Sequence, residues 1–87
     1  MIGFCEICGK YTALEKHHIF GGSNRKKSEK YGLTIYLCHY CHNEPPDGVH
    51  FNRKNDLRLK AKYQKAAMIT QGWSKDDFIR EFGKSYI

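Results

Sequence analysis

Four cysteines form two pairs with the same spacing, Cys5-x2-Cys8 and Cys38-x2-Cys41. A Cys-x2-Cys segment can fold as a tight knuckle that turns both sulfurs toward one point, so two pairs can supply the four thiolates of a tetrahedral, structural zinc site. Buried free thiols and a redox-active pair are the alternatives, but redox chemistry does not account for two copies. The segment between the pairs, residues 9–37, is longer than the roughly 15–20 residues of a simple zinc ribbon, which indicates an inserted element.

Four of the five histidines lie where their side chains could form a second site. Glu15-Lys16-His17-His18 comes directly before a Gly-Gly turn, His42 follows the second knuckle, and His50 follows a Pro-Pro-Asp-Gly turn. Neutral imidazoles are ligands for divalent ions, and a histidine with a pKa near ~6.5 can take a proton from water at neutral pH. His39, inside the second knuckle, is expected to be an ordinary surface residue that points outward.

Less specific interpretations stay open for these histidines. His17 and His18 could be the polar end of a strand, since neighbouring side chains on a strand point to opposite faces. His42 could replace a cysteine as a zinc ligand, and His50 could be an ordinary loop residue.

Taken together, these motifs resemble those of zinc-knuckle HNH endonucleases. The matching pattern is Cys-x2-Cys, then Glu-x-His-His-Ile followed by Gly-Gly, then Leu-Cys-x2-Cys-His, then a further His, and it covers Cys5 to His50. The resemblance implies an α+β chain with a small ββα-metal (HNH) fold, stapled by the four-cysteine zinc knuckle and followed by two C-terminal helices. Gly48-Val49-His50 and the ending Phe82-Gly83-Lys84-Ser85-Tyr86-Ile87 look like those of phage recombination-enhancement nucleases that act with a RecA filament.

The resemblance also implies roles for individual residues. His17, His42 and His50 would hold one catalytic divalent ion, Mg2+, Mn2+, Ni2+ or Zn2+, and His18 would be the general base. Glu15 would orient a neighbouring histidine or basic side chain. The implied reaction is hydrolysis of phosphodiester bonds that leaves 5′-phosphate and 3′-hydroxyl ends.

The sequence departs from the family pattern at two places. Many members have Asn five residues before the third knuckle cysteine, where this chain has Leu33, so the loop between the strands must be tied by other groups, either Thr34 or backbone. In the family the last two histidines often lie four residues apart on one helix. Here two prolines separate His42 from His50, so His50 must approach from a separate turn.

The strands that must position these residues can be predicted from local composition. Strand-forming residues at 11–20 and 33–37 predict two strands, and Gly21-Gly22 breaks the first of them. The polar segment 23–30 between them is predicted to be a loop with a helical turn. The second knuckle is predicted to open a short helix, which the Pro-Pro segment must interrupt.

Two helices are predicted in the second half of the chain. The first covers residues 52–71 and ends at Gly72. Ser74 and Asp77 predict a capping box for the second, which continues to residue 82 and ends at Gly83. The apolar residues predicted to pack inward are Leu59, Tyr63, Ala66 and Ala67 on the first helix, and Trp73, Phe78, Ile79 and Phe82 on or beside the second.

Basic residues outnumber acidic residues by 15 to 9, for a formal charge of +6 and an isoelectric point near 9.2. This balance favours a polyanionic partner, most simply nucleic acid and in particular DNA. Two basic groups are candidates for phosphate contacts, with a merely solvated surface as the alternative for each. They are Arg25, Lys26 and Lys27 after the Gly-Gly turn, and Lys54, Arg58, Lys62 and Lys65 along one helix face.

One domain over residues 1–87 is predicted, with the knuckles and the ββα-metal core in 5–50 and a helical part in 52–87. No apolar run is long enough to span a membrane and no targeting segment is visible, so a cytoplasmic location is expected, in a bacterial host if the chain is phage-encoded. No base-reading motif stands out, so low sequence specificity is expected.

Two classes of function are compatible with these patterns. One is a metal-dependent HNH endonuclease in recombination or packaging, with a recombinase filament or packaging machinery as partner. The other is a non-catalytic zinc-binding module that interacts with nucleic acid or protein. Both account for the cysteines and the charge, but only the endonuclease accounts for Glu15, His17, His18, His42 and His50 together. An RNA-cutting toxin or a packaging nickase would use the same chemistry.

Overall fold

The computed structural model describes all 87 residues and contains a three-stranded antiparallel sheet. β1 (Ile2–Phe4), β2 (Tyr11–His18) and β3 (Thr34–Cys38) lie side by side in that order. Leu14 lies opposite Cys38 in the β2–β3 pair, so the start of the second knuckle is level with the middle of β2. The two predicted strands are confirmed with slightly shifted ends. β1 was not predicted, because three residues are too few to display a period.

Four α-helices accompany the sheet. The two short helices lie next to the strands, one between β2 and β3 after a 3-10 turn and one directly after β3, and the two longer helices form the second half of the chain. In chain order they are α1 (Arg25–Lys30), α2 (His39–Asn43), α3 (Arg53–Gln71) and α4 (Lys75–Phe82).

The connection between β2 and β3 is held in place by a buried serine. The Ser28 hydroxyl accepts a hydrogen bond from the Phe20 N–H at 3.1 Å and donates one to the Phe20 carbonyl at 2.7 Å. The Leu33 N–H donates to the Ser28 carbonyl at 2.7 Å. Because Ser28 is fully buried, these bonds are shielded from water. The tie expected from Thr34 or backbone is therefore made by Ser28 together with backbone groups.

The chain after α2 folds back over that helix at a glycine. The His50 N–H donates to the His42 carbonyl at 3.2 Å. At Gly48 a Cβ atom would lie 2.7 Å from both the backbone N and the backbone O of Glu44, so only glycine permits this approach. His50 thus approaches from a separate turn, as predicted. Although two prolines lie between the histidines in sequence, the turn brings His50 back beside His42.

α3 and α4 begin and end at capping residues. The Asn52 side chain accepts from the Asn55 N–H at 3.0 Å, and Gly72 ends α3 in the left-handed conformation with φ 69°. Ser74 and Asp77 form a reciprocal capping box, with N–H to side-chain oxygen distances of 3.0 and 3.1 Å. Both predicted helices, with their caps, are confirmed.

The core is centred on Phe20, just beyond the end of β2. Its ring centroid lies 5.3 Å from that of Phe78, 4.7 Å from that of Phe82 and 5.5 Å from that of Tyr86. Through these contacts α4 and the end of the chain pack against the loop that follows the two adjacent histidines. The helical half is therefore part of the scaffold that positions the site.

Two predictions of inward packing are wrong. Ile79 and Ala66 are both exposed, whereas their neighbours Phe78 and Ala67 are buried. Successive residues of a helix differ by about 100°, so a stripe centred on Phe78 and Phe82 turns Ile79 to its edge. Ala67 is buried as predicted, and the partly buried residues that pack against the core include Leu59, Tyr63 and Trp73.

The architecture is α+β, with three antiparallel strands, four α-helices and a cluster of four cysteines beside the sheet. The two C-terminal helices are present as predicted. None of the helices combines the length and the apolar character that crossing a bilayer requires.

Candidate metal centres

The four cysteines converge beside the sheet and α2. Cys5 and Cys8 lie in the turn between β1 and β2, Cys38 ends β3, and Cys41 lies in α2. All four Sγ atoms lie within 4.8 Å of one another, and those of Cys8 and Cys38 are 3.8 Å apart. Two ligands of a tetrahedral zinc with bonds of about 2.3 Å also lie about 3.8 Å apart, whereas a disulfide needs about 2.05 Å. The cluster therefore fits a structural metal such as zinc.

The electrostatics of the cluster favour a bound cation. Burial raises the pKa of the Cys5 thiol, but hydrogen bonds from the backbone of Cys8 and Cys38 outweigh it and lower the pKa to about 6. Burial, with a hydrogen bond to Cys38, raises the pKa of Cys41 well above its usual range. The protein alone thus stabilises a thiolate at one position and a thiol at another. A divalent metal is what allows all four sulfurs to ionise.

Three histidines from separate elements form a second cluster. His17 comes from β2, His42 from α2 and His50 from the turn after α2, and one nitrogen from each lies within 4.8 Å of the others. The Nε2 atoms of His42 and His50 are 2.9 Å apart. His17 is buried, and its Nε2 has no hydrogen-bond partner. A buried nitrogen without a partner costs free energy unless a ligand satisfies it, so these residues could hold an ion.

Two imidazoles of the histidine cluster, those of His17 and His50, have lowered pKa values. Burial, reinforced by the neighbouring His42 and His50, lowers the pKa of His17 to about 4. Burial and His42 also lower the pKa of His50. Asp56 and Lys60 act on both imidazoles with opposite signs. Neutral nitrogens at physiological pH are what a divalent ion requires of its ligands.

Glu15 lies behind this cluster and connects it to the second knuckle. One carboxylate oxygen accepts from His42 Nδ1 at 2.9 Å and from the Asn43 amide at 2.8 Å, and the other pairs with His39 Nδ1 at 2.9 Å. The bonds to His39 and His42 lower the pKa of Glu15 to about 2. The bond at Nδ1 leaves His42 Nε2 facing the other imidazoles, as outer carboxylates do at metal sites.

His39 lies at the surface as expected, and it also has two carboxylate partners. Its side chain is 60% exposed, yet its two ring nitrogens pair with Glu15 at 2.9 Å and with Glu44 at 3.0 Å. The bond to Glu15 is the main cause that raises the pKa of His39. His39 therefore belongs to the hydrogen-bond network behind the histidine cluster.

His18 lies outside the three-histidine cluster and has a carboxylate partner of its own. Its Nε2 lies 2.9 Å from Oε1 of Glu29 on α1, and the same oxygen accepts from Lys16 Nζ at 2.6 Å. Hydrogen bonds from Lys16 and then His18 lower the pKa of Glu29. His18 and His17 are neighbours on β2, and both line the same cleft.

An open cleft lies beside these histidines. One part of it, about 370 Å³ in volume, extends from His17, His18 and His50 to Asp56 and Lys60 on α3. An adjoining part of about 360 Å³ extends from the same three histidines to His42, Lys16 and Arg25. The part with His42 has a polar lining that includes Lys16 and Arg25, and the part toward α3 also has apolar residues among its lining. The cleft thus gives solvent access to both the three-histidine cluster and His18.

The seven basic residues singled out in the sequence are not equivalent. Arg25 is exposed at the rim of the cleft and Lys26 is exposed beside it, but Lys27 is half-buried and donates to the Glu81 carbonyl. Lys27 therefore holds α1 against α4 and is not a free phosphate contact. The four predicted on α3 are all exposed, and they are Lys54, Arg58, Lys62 and Lys65. Of these, Arg58 and Lys62 border a separate groove next to the first knuckle.

The sequence analysis missed three polar residues, of which Asp56 and Lys60 line the cleft and Glu29 contacts His18. Glu29 gave no signal, because its distance from His18 depends on how α1 packs against β2. Asp56 and Lys60 are four residues apart on a predicted helix, a spacing that indicates an ion pair but not the side of the helix that faces the histidines.

No family model, no curated protein and no solved structure matches the chain. The assignment of function therefore depends on the geometry of the two clusters and the cleft. The chain is an α+β protein whose four cysteines lie close enough together to bind one metal ion.

Proposed function

We propose that this chain is a metal-dependent endonuclease of the HNH class, which hydrolyses phosphodiester bonds in DNA with low sequence specificity. The proposal rests chiefly on the convergence of His17, His42 and His50 at one wall of a polar cleft that also contains His18 paired with Glu29. Three nitrogen ligands and a separate, oriented histidine are the parts that metal-assisted hydrolysis needs.

The order of the elements supports the same class. β2 and β3 are an antiparallel pair, α2 follows β3 directly, and His17 and His42 come from the first strand and the helix of this unit. A ββα-metal fold has that order. The four-cysteine cluster joins the ends of the same three elements and stabilises their relative positions.

The histidine nitrogens fit a divalent ion. Neighbouring ligands of a six-coordinate ion with bonds of about 2.1 Å lie about 3.0 Å apart, close to the 2.9 Å between His42 and His50. Three protein ligands leave positions open for water and phosphate. An ion bound there would polarise a phosphate oxygen and stabilise the charge that develops on the leaving oxygen.

The remaining chemistry belongs to side chains of the cleft. Nε2–H of His18 donates to Glu29, which leaves Nδ1 as the nitrogen that accepts a proton. Water attacks phosphorus and gives its proton to Nδ1, the P–O3′ bond breaks, and the departing oxygen takes a proton from solvent. Arg25 at the rim can hold a non-bridging phosphate oxygen.

The charge of the molecule supports nucleic acid as the substrate. The formal charge is +6, and exposed cations lie at the cleft rim and along α3. Contacts of this kind address phosphates and not base edges. Low sequence specificity follows from such contacts.

Cleavage by wild-type protein and by His18→Ala is the test of this proposal. Supercoiled, linear and single-stranded DNA and a matched RNA are each incubated with Mg2+, Mn2+, Ni2+ or Zn2+. We expect cleavage of DNA by the wild type and a loss of about 100-fold or more in His18→Ala, the usual scale of general-base catalysis. The thermal stability of the variant should stay close to wild type, because Glu29 keeps its bond to Lys16.

Two outcomes would contradict the proposal. Cleavage by His18→Ala at the wild-type rate would show that His18 is not the general base. Absence of cleavage with every ion, together with one metal per chain by elemental analysis, would favour a non-catalytic zinc-binding module.

A further inference from the structure

α3 presents an ion pair to the histidine cleft on the side away from the cation stripe formed by Lys54, Arg58, Lys62 and Lys65. Asp56 and Lys60 line the part of the cleft that also contains His17, His18 and His50. Lys60 lies two residues after Arg58, which corresponds to about 200° around the helix. The lysine therefore faces the candidate reaction site, whereas the cation stripe does not.

Lys60 is held much more tightly than a surface lysine. Its Nζ lies 2.6 Å from Oδ2 of Asp56 and 5.7 Å from the ring centroid of Tyr86. The side chains of Lys60 and Asp56 are only 19% and 18% exposed. The carboxylate and the aromatic ring therefore fix the ammonium group at the wall of the cleft.

This arrangement leaves the ammonium able to bind an anion. An ammonium has three N–H donors, and the recorded hydrogen bond to Asp56 uses one of them. A phosphate in the cleft could accept from another while Asp56 stays in place. The usual interpretation, an exposed pair that stabilises the helix slightly, does not account for a pair turned toward a polar cleft.

We propose that Lys60, positioned by Asp56 and Tyr86, binds a phosphate of the nucleic-acid strand that occupies the histidine cleft. The inference deepens the proposed endonuclease function and rests on it for the identity of the ligand. It makes α3 part of the substrate site and not only an outer basic surface. Asp56 has two opposing effects on phosphate binding. It fixes the position of the ammonium, but its negative charge also weakens the attraction between the ammonium and a phosphate slightly.

Binding of a fluorescent single-stranded DNA 12-mer, measured by anisotropy across a salt series, tests the inference. All proteins carry His18→Ala and contain Ca2+, so that cleavage does not interfere. We expect Lys60→Gln to weaken binding about tenfold and to lower the slope of log K against log salt by about 0.7, one phosphate contact on a single strand. Lys60→Arg should keep binding within about threefold, and Asp56→Asn should bind as tightly as the parent or more tightly.

The control is Lys75→Gln, which removes an exposed charge at the start of α4. Equal binding by Lys60→Gln and Lys75→Gln would overturn the inference, as would a parent protein that binds no oligonucleotide. A pair that only stabilises α3 would give equal losses of thermal stability in Lys60→Gln and Asp56→Asn with no change in binding, which also overturns it. Weakened binding in Lys60→Gln would support the phosphate site even if wild-type protein cuts nothing, so the two proposals fail separately.

Discussion

Glu29 shows how much one carboxylate can decide at the candidate reaction site. It accepts from both His18 and Lys16, and these bonds lower its pKa, so it remains ionised at neutral pH. An ionised partner at Nε2 selects the tautomer of His18 whose Nδ1 is free, and it stabilises the imidazolium formed after proton transfer. In the proposed hydrolysis, Glu29 is a positioning residue that acts through His18.

Glu29→Gln should lower kcat about 10- to 100-fold with little change in KM, because a neutral amide can still hold the ring but no longer stabilises its charged form. Steady-state cleavage across pH 5–9 measures this, and Glu29→Asp should recover part of the rate. Lys16→Met is the matched control, because it removes the other partner of the same oxygen and leaves His18 paired. Equal losses of kcat in Glu29→Gln and Lys16→Met would contradict a role through His18.

Residue types and spacing predicted which side chains form the two clusters but not what surrounds them. The two cysteine pairs come together because each pair is local in sequence. The antiparallel strands β2 and β3 lie between the pairs and bring them to the same end of the sheet. Glu29 and Lys60 escaped prediction because their neighbours are separated from them in sequence. Only the packing of α1 and α3 against the strands brings them to the cleft.

At the scale of elements, the turn after α2 determines whether the histidine cluster can exist. Its tightest point is Gly48, where a Cβ would lie 2.7 Å from the Glu44 backbone. His50 follows two residues later and bonds through its N–H to the His42 carbonyl. A substitution at Gly48 should therefore mainly displace His50.

Gly48→Ala should destabilise the protein by about 1–3 kcal/mol, the usual cost of forcing extra atoms into a packed region. It should also weaken Mn2+ binding at the histidine cluster about tenfold. Urea unfolding and calorimetric titration of zinc-loaded protein measure the two effects. Gly21→Ala is the control, since Gly21 has a φ of −92° and no atom within 4 Å of an added Cβ. Equal Mn2+ affinity in the two variants would show that this turn does not position His50.

Local signals were reliable for the helices and weaker for the faces they bury. The glycine after α3 and the capping box of α4 act within a few residues, so the sequence predicted them correctly. The exposure of Ile79 depends on where Phe20 lies, which is a tertiary fact. The exposure of His39 was predicted, but its pairing with Glu15 was not, for the similar reason that Glu15 comes from β2.

At the scale of the whole molecule, a small core is supplemented by the cysteine cluster. The buried apolar cluster has 13 members, and three of them are cysteines of this metal-binding set. A chain of 87 residues buries a limited area on folding. A structural metal can supply much of the remaining stability.

Cys41→Ser should abolish cooperative thermal unfolding or lower the melting temperature by more than about 10 °C, because a zinc ligand and its bond energy are lost. Differential scanning calorimetry with elemental zinc analysis measures both properties. Chelator-treated wild type should show the same loss and should recover when zinc is added back. A Cys41→Ser protein that is folded, contains no zinc and unfolds at the wild-type temperature would show that a bound zinc does not stabilise the fold.

Cys41 and His42 are consecutive residues of α2, so a single peptide unit carries a ligand of each cluster. A change in the position of Cys41 would therefore also move the His42 imidazole, which Glu15 holds at Nδ1. A thiol-directed reagent such as a mercurial should therefore weaken metal binding at the histidine cluster without modifying any histidine.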